Sequence, residues 1–246
     1  MTPLVAQVRA ETFMTLRRGE TLLLTVGIPV VFLVFFSTVH VVPTGGTAAV
    51  AFFVPGVLAL AVMSTAMVSL GIATGFERGY GVLKRLGTTP LGRPRLLGAK
   101  IATVVLVEVV QAAVLVPVGL GLGWNPGGPG DAGAAVGEAI AVALLATVAF
   151  GGIGLLLAGT LRAEVNLAAA NGLYLVLLLL GGMVVPLAKL PAGLADVAKV
   201  LPAAALSDGL HAALGTGSAV PVEAWIVLAV WAVAAPTAAA LTFRWE

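Results

Sequence analysis

Long apolar runs dominate the hydrophobic pattern of this chain, and short connections separate them. About 20 apolar residues are enough for an α-helix to cross the hydrocarbon core of a bilayer. Six runs reach this length, at approximately residues 21–42, 50–75, 97–121, 138–160, 167–186 and 222–243. The pattern therefore predicts an all-α integral membrane protein with six transmembrane helices. Residues 1–246 are predicted to form a single transmembrane domain.

The segment before the first run is basic and half apolar. It carries Arg9, Arg17 and Arg18 among apolar residues that recur at roughly helical spacing. A segment of this kind next to a membrane span is typical of a helix that lies in the headgroup region. We predict an N-terminal amphipathic interface helix over residues 1–20. A simple topological anchor accounts for the same residues equally well.

The connection between the second and third runs, residues 76–100, is the most basic part of the chain. It contains six of the 13 Lys and Arg residues, namely Arg78, Lys84, Arg85, Arg93, Arg95 and Lys100. Basic connections are retained on the cytoplasmic side of a membrane. With six spans, eleven basic residues fall on the side of the two termini, and only Lys189 and Lys199 fall on the other. The sequence therefore predicts cytoplasmic N- and C-termini.

An amphipathic helix is predicted inside this connection. Apolar residues recur at helical spacing on one face, and charged residues occupy the other faces. The apolar positions are Phe76, Tyr80, Leu83 and Leu86, and the charged positions are Glu77, Arg78, Lys84 and Arg85. We expect one short cytosolic helix that ends near Gly87, because Pro90 disfavours helical geometry at Thr89.

The connection from residue 187 to residue 220 is unusually long for this chain and is not simply polar. Leucines and valines recur helically over residues 190–201, Pro202 follows, and leucines recur again over residues 206–214. Each piece has about ten residues, which is too short to cross a bilayer. Two short extracellular helices that re-enter the outer leaflet fit this pattern. A hairpin on the membrane surface is the alternative.

Composition excludes several other classes of protein. The chain is 60% hydrophobic and 10% charged, with a mean hydropathy of +1.11, so it has too little polar surface for a soluble globule. Its basic residues follow the connections and form no patch with aromatic residues, so we expect no nucleic-acid partner. The chain has no cysteine, and its two histidines belong to no ligand motif, so we expect no metal site.

Catalytic motifs are absent from the sequence. It contains no G-x-x-x-x-G-K-[ST] phosphate loop, no H-E-x-x-H and no G-x-S-x-G. The chain is therefore predicted to hydrolyse no nucleotide itself and to be no enzyme on its own.

One polar pair interrupts the apolar runs. Glu108 lies about ten residues into the third run, and Gln111 follows at i+3 on nearly the same helix face. A carboxyl group inside a membrane is costly, and it often marks a functional site. Glu108 could handle protons or cations. Alternatively, it is a neutral carboxyl that forms a hydrogen bond to Gln111 or to a neighbouring helix.

These features together resemble the permease subunit of ATP-binding-cassette exporters of the type 2 class. The resemblance covers essentially the whole chain: the basic N-terminal helix, a first run with Pro29, the segment ERGYGVLKRLGTTPLGRPRLLGAK, and LPAAALSDGLHAAL before the last run. Its most specific part is the cytosolic connection, where the family pattern is carried by Glu77, Gly81, Leu83, Thr89, Pro90 and Arg93. Glu108 matches no motif of the family.

The resemblance implies a function for the cytosolic connection. In the family it is a coupling helix that contacts a cytosolic ATPase dimer, which binds the ATP and Mg²⁺, whereas the permease itself holds no cofactor. The residues implied in this coupling loop are Glu77, Arg78, Tyr80, Gly81, Leu83, Lys84, Arg85, Thr89 and Pro90. The permease would pair with a second copy or a sister permease, and it would lie among the lipids of a bacterial cell membrane as a multi-pass protein.

The substrate class is left open by the resemblance, because relatives carry drugs, lipids and polysaccharides. The chain has no large external domain, which favours export of a small amphiphile, a drug as in multidrug efflux, or a lipid. Two alternatives remain. One is a secondary transporter with Glu108 as its ion-coupling site, and the other is a membrane scaffold that transports nothing.

Overall fold

The helical class follows from the apolar runs, because a helix bonds its backbone N–H and C=O groups internally where no water is present. The computed structural model of the protein describes residues 19–39, 48–87, 93–127 and 132–243. Within these ranges the chain forms helices joined by turns, with no β-strand. The predicted all-α class is confirmed there, whereas the predicted N-terminal interface helix lies almost wholly outside the described residues.

The helices are numbered here in chain order. They are α1 Gly19–Thr38, α2 Ala49–Gly79, α3 Val82–Gly87, α4 Arg93–Gly121, α5 Ala132–Thr160, α6 Ala163–Leu180, α7 Ala192–Lys199, α8 Pro202–Leu210 and α9 Val222–Thr242. A π-helical stretch, Ser64–Ser69, interrupts α2. A 3₁₀ turn, Leu187–Lys189, precedes α7, and a π-helical turn, His211–Thr216, follows α8.

Among the described residues, five helices are long and apolar enough to cross a membrane: α2, the Gly98–Gly121 part of α4, α5, α6 and α9. They correspond to the second through sixth predicted spans. In α1 the structure describes the side chains of Thr25–Thr38 only, and this apolar stretch alone is shorter than a span. The chain is thus a multi-pass membrane protein by the length and composition of these helices, while the crossing by α1 stays a prediction.

The end of α6 differs from the sequence prediction. The fifth span was predicted to run to residue 186, but the helix ends at Leu180. Gly182 has a φ of +71°, a left-handed conformation that stops an α-helix. A Cβ atom on Gly181 would lie only 3.2 Å from the Cβ of Ala203. The chain therefore leaves the helix at these glycines to pack against α8.

Helix α5 packs closely against α2 and α9 at glycine crossings. A Cβ atom on Gly154 would lie 2.5 Å from the carbonyl oxygen of Met67, inside the π-helical stretch of α2. A Cβ atom on Gly152 would lie 2.5 Å from the Cδ of Pro236 in α9. Small residues let helix backbones approach closely where no water drives association. Helix α5 is therefore fixed directly against both neighbours.

The two ends of the bundle carry different structures. At one end, which we call the α3 end, the side chains of Leu83, Leu96 and Phe243 form a buried cluster that joins α3, α4 and the segment after α9. At the opposite end, which we call the Trp124 end, the Nε1 of Trp124 and the backbone N of Gly127 each donate a hydrogen bond to the carbonyl oxygen of Leu214, both at 3.2 Å. These bonds join the α4–α5 turn to the segment after α8.

Two short helices occupy the long connection before α9, as the sequence predicts. The Nε1 of Trp231 donates a hydrogen bond of 2.9 Å to the carbonyl oxygen of Val200, at the junction of α7 and α8. Trp231 lies nine residues beyond Val222, the first residue of α9, which is about 13 Å along the helix. The α7–α8 junction therefore lies beside α9 and not beyond its end.

Candidate functional site

The segment predicted as one coupling helix is broken in the structure. Helix α2 continues through Phe76 to Gly79, the chain turns at Tyr80 and Gly81, and α3 begins at Val82. Gly81 has a φ of +72°, the left-handed conformation that commonly closes a helix. The predicted helix from Phe76 to Gly87 was therefore wrong in its continuity. The periodicity of the apolar residues persists across the turn, which is why it did not reveal the break.

The turn presents an aromatic side chain at the α3 end. Tyr80 is 75% exposed, and its ring stacks on Phe76 with ring centroids 6.1 Å apart. In α3, Val82 and Lys84 are exposed, whereas Leu83 is buried against Leu96 and Phe243. Helix α3 is thus held to the bundle through Leu83, while Val82, Lys84 and Tyr80 are accessible.

Arg78 joins the end of α2 to the end of α5. Its guanidinium donates hydrogen bonds to the backbone carbonyl oxygens of Gly159 and Leu161. The last carbonyl groups of a helix lack internal partners and carry partial negative charge, so a cation there is stabilising. Arg78 therefore caps the C-terminal end of α5.

Glu77 joins the end of α2 to the start of α4. Its carboxylate forms an ion pair of 2.6 Å with the Nζ of Lys100. The Lys100 side chain is only 4% exposed, and that of Glu77 is 33% exposed. From the sequence, Lys100 is expected only to contribute to the charge that sets the topology. The two residues are 23 positions apart, and no local spacing signals such a pair.

The remaining residues of the predicted coupling loop are less fully described. Arg85 belongs to α3, but its side chain is outside what the structure describes, and Thr89 and Pro90 lie outside the described ranges. Their assignment to the coupling loop stays a prediction.

Glu108 faces α5 and not Gln111. The Oγ1 of Thr147 lies 2.7 Å from the Oε2 of Glu108 and 2.8 Å from the carbonyl oxygen of Ala143. The other carboxyl oxygen, Oε1, is buried and has no hydrogen-bond partner. No pattern in the sequence points to Thr147, whose hydroxyl lies in the middle of an apolar run. Glu108 therefore links α4 to α5 through one of its two oxygens.

Gln111 points to the other side of α4 and is 2% exposed. Its Nε2 donates to the carbonyl oxygen of Thr25 at 3.1 Å, and its Oε1 accepts from the Oγ1 of Thr65 at 3.1 Å. Gln111 thus joins α1, α2 and α4 through both ends of its amide. The structure separates the roles of Glu108 and Gln111, which the sequence had placed on nearly one face.

A cavity of about 320 Å³ lies between α2, α4 and α5 at the Trp124 end, and we call it the Glu108 groove. Its wall is apolar apart from a few side chains. The lining residues are Leu58, Ala61, Val62, Val105, Glu108, Val109, Gln111, Ala112, Val116, Trp124, Pro126, Val136, Ala139, Ile140, Ala143, Leu144, Leu210 and Leu214. Among them, Glu108 alone is ionisable.

A second, smaller cavity of about 140 Å³ lies between α1, α2 and α6. Ser64, Tyr174 and the polar end of Gln111 contribute to its wall. Gln111 and Ala61 line both cavities. The hydrogen-bonded Gln111 side chain therefore lies between the two spaces.

His211 fastens the segment after α8 to α2. Its Nδ1 lies 2.7 Å from the carbonyl oxygen of Ser207, and its Nε2 lies 3.0 Å from the carbonyl oxygen of Phe52. Burial lowers the pKa of His211 from its ordinary value of 6.5, and the two carbonyl contacts partly oppose this effect. Within the described ranges, no three His, Asp or Glu side chains are grouped in a way that could hold a metal ion.

The structure combines long apolar helices, a basic connection that is fastened to three of them, and an apolar groove with one acidic residue. Together these features define a polytopic membrane protein. The family model described as ABC-2 type transporter matches residues 4–214, and the chain belongs to this family. Comparison with curated proteins gave no match. The resemblance seen in the sequence is thus confirmed at the level of the family. Members are membrane permeases that typically work with a cytosolic ABC ATPase.

Proposed function

We propose that this chain is the permease subunit of an ATP-driven exporter. It would move a small amphiphile, a drug or a lipid outward by alternating access, coupled to a separate cytosolic ATPase dimer that binds ATP and Mg²⁺. The observation that carries this proposal, beside the family, is the way the turn at Tyr80 is fastened. Glu77, Arg78 and Leu83 connect it to α4, α5 and the end of α9.

The fastened turn supports mechanical coupling. If a partner displaced Tyr80 and α3, the motion would pass to α5 through Arg78 and to α4 through Glu77. Each of these contacts joins two helices that could otherwise slide past each other. Packed elements transmit motion as discrete rearrangements and do not deform continuously. Closure of the ATPase dimer would therefore move α2, α4 and α5 together and switch access from one side to the other.

A six-span topology with both termini cytoplasmic is supported by the arrangement of helix ends. The Phe36 and Phe53 rings are 5.4 Å apart, so the last turn of α1 lies beside the first turns of α2. The first residue of α1 therefore lies toward the α3 end. The 20 residues of α1 extend about 30 Å, enough to cross the hydrocarbon core. Phe243 packs at the α3 end as well. The α3 end would face the cytoplasm, because it carries most of the basic residues.

In this topology the α7–α8 hairpin enters from outside. Its junction at Val200 lies beside Trp231, about 13 Å along α9, which supports re-entry into the outer leaflet more than a surface position. Exposed apolar faces on α1, α6 and α9 would contact lipid and a second copy or sister permease in a bacterial cell membrane.

Orientation can be tested directly because the chain contains no cysteine. Single cysteines at Lys84 and Ala219, both exposed positions, would be labelled with a membrane-impermeant maleimide in intact cells and in inverted vesicles. We expect Ala219→Cys to react in cells and Lys84→Cys to react in inverted vesicles only. The opposite pattern would reverse the topology and remove the coupling role of α3.

An ion-coupled transporter is the second candidate, favoured by one observation, the unpaired Oε1 of Glu108 inside the bundle. The two functions differ in their energy source. The chain would be reconstituted with the ABC ATPase that co-purifies with it, and transport of a fluorescent amphiphile would be followed. We expect transport that requires ATP and persists when the proton and sodium gradients are collapsed. Transport that needs no ATPase and stops with the gradient would establish the ion-coupled function instead.

A further inference from the structure

The Glu108 groove is a candidate binding site, and its chemistry selects a class of ligand. We propose that it binds an amphiphilic amine, with the ammonium group at Glu108 and the apolar part along the wall toward Trp124. This inference rests on the proposed function, because the amine would be the exported substrate.

The shape of the groove suits the apolar part of such a ligand. Its volume of about 320 Å³ falls at the lower end of the range of small-molecule sites. The Val109, Ile140 and Leu144 side chains are lining residues that are also exposed. The groove is therefore open sideways between α4 and α5, where a molecule dissolved in the membrane can enter without crossing water.

The charge in the groove selects the head group. Glu108 alone is ionisable among the lining residues, and no Lys, Arg or His lines the wall. An anionic head would meet no cation there and would be repelled by the carboxylate, whereas an ammonium group would neutralise it. An ion pair of this kind is favourable in an apolar site only when both partners are present.

The hydrogen bonds of Glu108 leave room for one more donor. Thr147 has a single hydroxyl proton and two acceptors near it, and Oε1 has no partner. An unpaired buried acceptor is costly, so a ligand that donates to it gains affinity. The terminal carboxyl torsion of Glu is broad, so Oε1 can turn toward the groove without leaving a preferred rotamer of the inner torsions.

The test is binding of brominated decylamine to the full chain in phosphatidylcholine nanodiscs, without ATP. Bromine quenches tryptophan fluorescence at short range, and Trp124 lines the groove. Its signal is isolated by subtracting the Trp124→Phe variant, because the chain has four tryptophans. Brominated decanol and brominated decanoate are the matched probes. They share the apolar tail and differ only in the head group.

We expect saturable quenching of Trp124 by the amine, at an affinity about tenfold or more above that of the alcohol, with decanoate weakest. In Glu108→Gln the amine and the alcohol should bind alike. The control Glu164→Gln, in the first turn of α6, should keep the preference for the amine. The order of the three probes is also measured as total tryptophan quenching of the unmodified chain, which needs no variant to fold.

Equal quenching by all three probes would show that they only partition into the bilayer through their apolar tails, and it would overturn the proposal. A preference for decanoate, or a preference for the amine that survives Glu108→Gln, would overturn it as well. Because the assay contains neither ATP nor an ATPase, it is independent of the export test. Selective amine binding without ATP-dependent transport would refute the exporter, whereas ATP-dependent transport without selective amine binding would refute this site.

Discussion

The carboxylate of Glu77 lies 2.6 Å from the Nζ of Lys100, so the last turn of α2 and the first turns of α4 are joined across the connection that separates them. Lys100 is almost fully buried, whereas Glu77 is one third exposed. The pair closes the base of the segment that carries Tyr80 and α3. Loss of this ion pair is therefore expected to loosen the α3 end.

The ion pair can be measured by a double-mutant cycle. We expect Lys100→Met to lower the free energy of unfolding by about 1–2 kcal/mol, because it leaves a carboxylate without its partner, and water at the exposed side of Glu77 reduces the loss. Glu77→Gln should be similar. The double variant should lose less than the sum of the two. Unfolding in mixed micelles of a denaturing detergent provides the measurement.

The pair Lys199–Asp196 is the control for this cycle, because it has the same charges at 2.9 Å but lies within α7 and joins no two helices. Its removal should leave stability unchanged within error. Additive losses in the Glu77–Lys100 cycle would show that the two residues act independently.

Arg78 is predicted to act as a cap of α5. Arg78→Gln should lower the free energy of unfolding by about 1–3 kcal/mol, because two carbonyl oxygens lose charged donors. Arg78→Lys should restore only part of the loss, since an ammonium group lacks the planar fork that reaches both carbonyls. Cysteine crosslinking between the ends of α2 and α5 should slow in Arg78→Gln. If stability and crosslinking are unchanged, Arg78 does not cap α5 and serves only as a charge that sets the topology.

The length and the apolar pattern were sufficient to predict five of the long helices and the two short ones before α9. Each depends on burial of a local run, which the sequence displays directly. The break at Gly81 and the early end of α6 at Gly182 each depend on one glycine in the left-handed conformation. The sequence pattern does not show which glycines adopt a positive φ. The partners Lys100 and Thr147 are joined to Glu77 and Glu108 by tertiary packing, which no local spacing encodes.

Two glycines on α5 provide a matched test of its packing. A Cβ atom on Gly154 would overlap the carbonyl oxygen of Met67, whereas one on Gly137 would meet nothing within 4 Å. We expect Gly154→Ala to destabilise the protein by about 1–3 kcal/mol through overpacking. Gly137→Ala should be neutral or slightly stabilising, because alanine favours the helix. Equal stability of the two variants would contradict the close α2–α5 crossing.

His211 should make the docking of α8 sensitive to pH. Its pKa is lowered from 6.5 by burial, so the unfolded chain binds a proton more readily than the folded one. Stability is therefore full above this ordinary value and falls as the pH drops below it toward the lowered pKa. We expect protection of residues 200–216 from proteolysis to decrease between about pH 7 and pH 5.

Two variants isolate this effect. His211→Phe should remove the pH dependence in this range. The comparison is made in an Asp208→Asn background, because burial raises the pKa of Asp208 and its contribution has the opposite sign, falling as the pH rises. Protection that still decreases in His211→Phe would assign the effect to another group.

The turn at Tyr80 is proposed to transmit the action of an ATPase to the helices. The most direct measurement is permease-dependent ATP hydrolysis by the assembled complex for Tyr80→Ala, compared with Leu194→Ala, an exposed apolar residue in α7. Loss of an exposed aromatic anchor should weaken association with the ATPase by about tenfold or more and reduce the stimulation accordingly, while insertion and stability of the permease stay unchanged. Leu194→Ala should stimulate normally. Normal association and stimulation with Tyr80→Ala would contradict the claim.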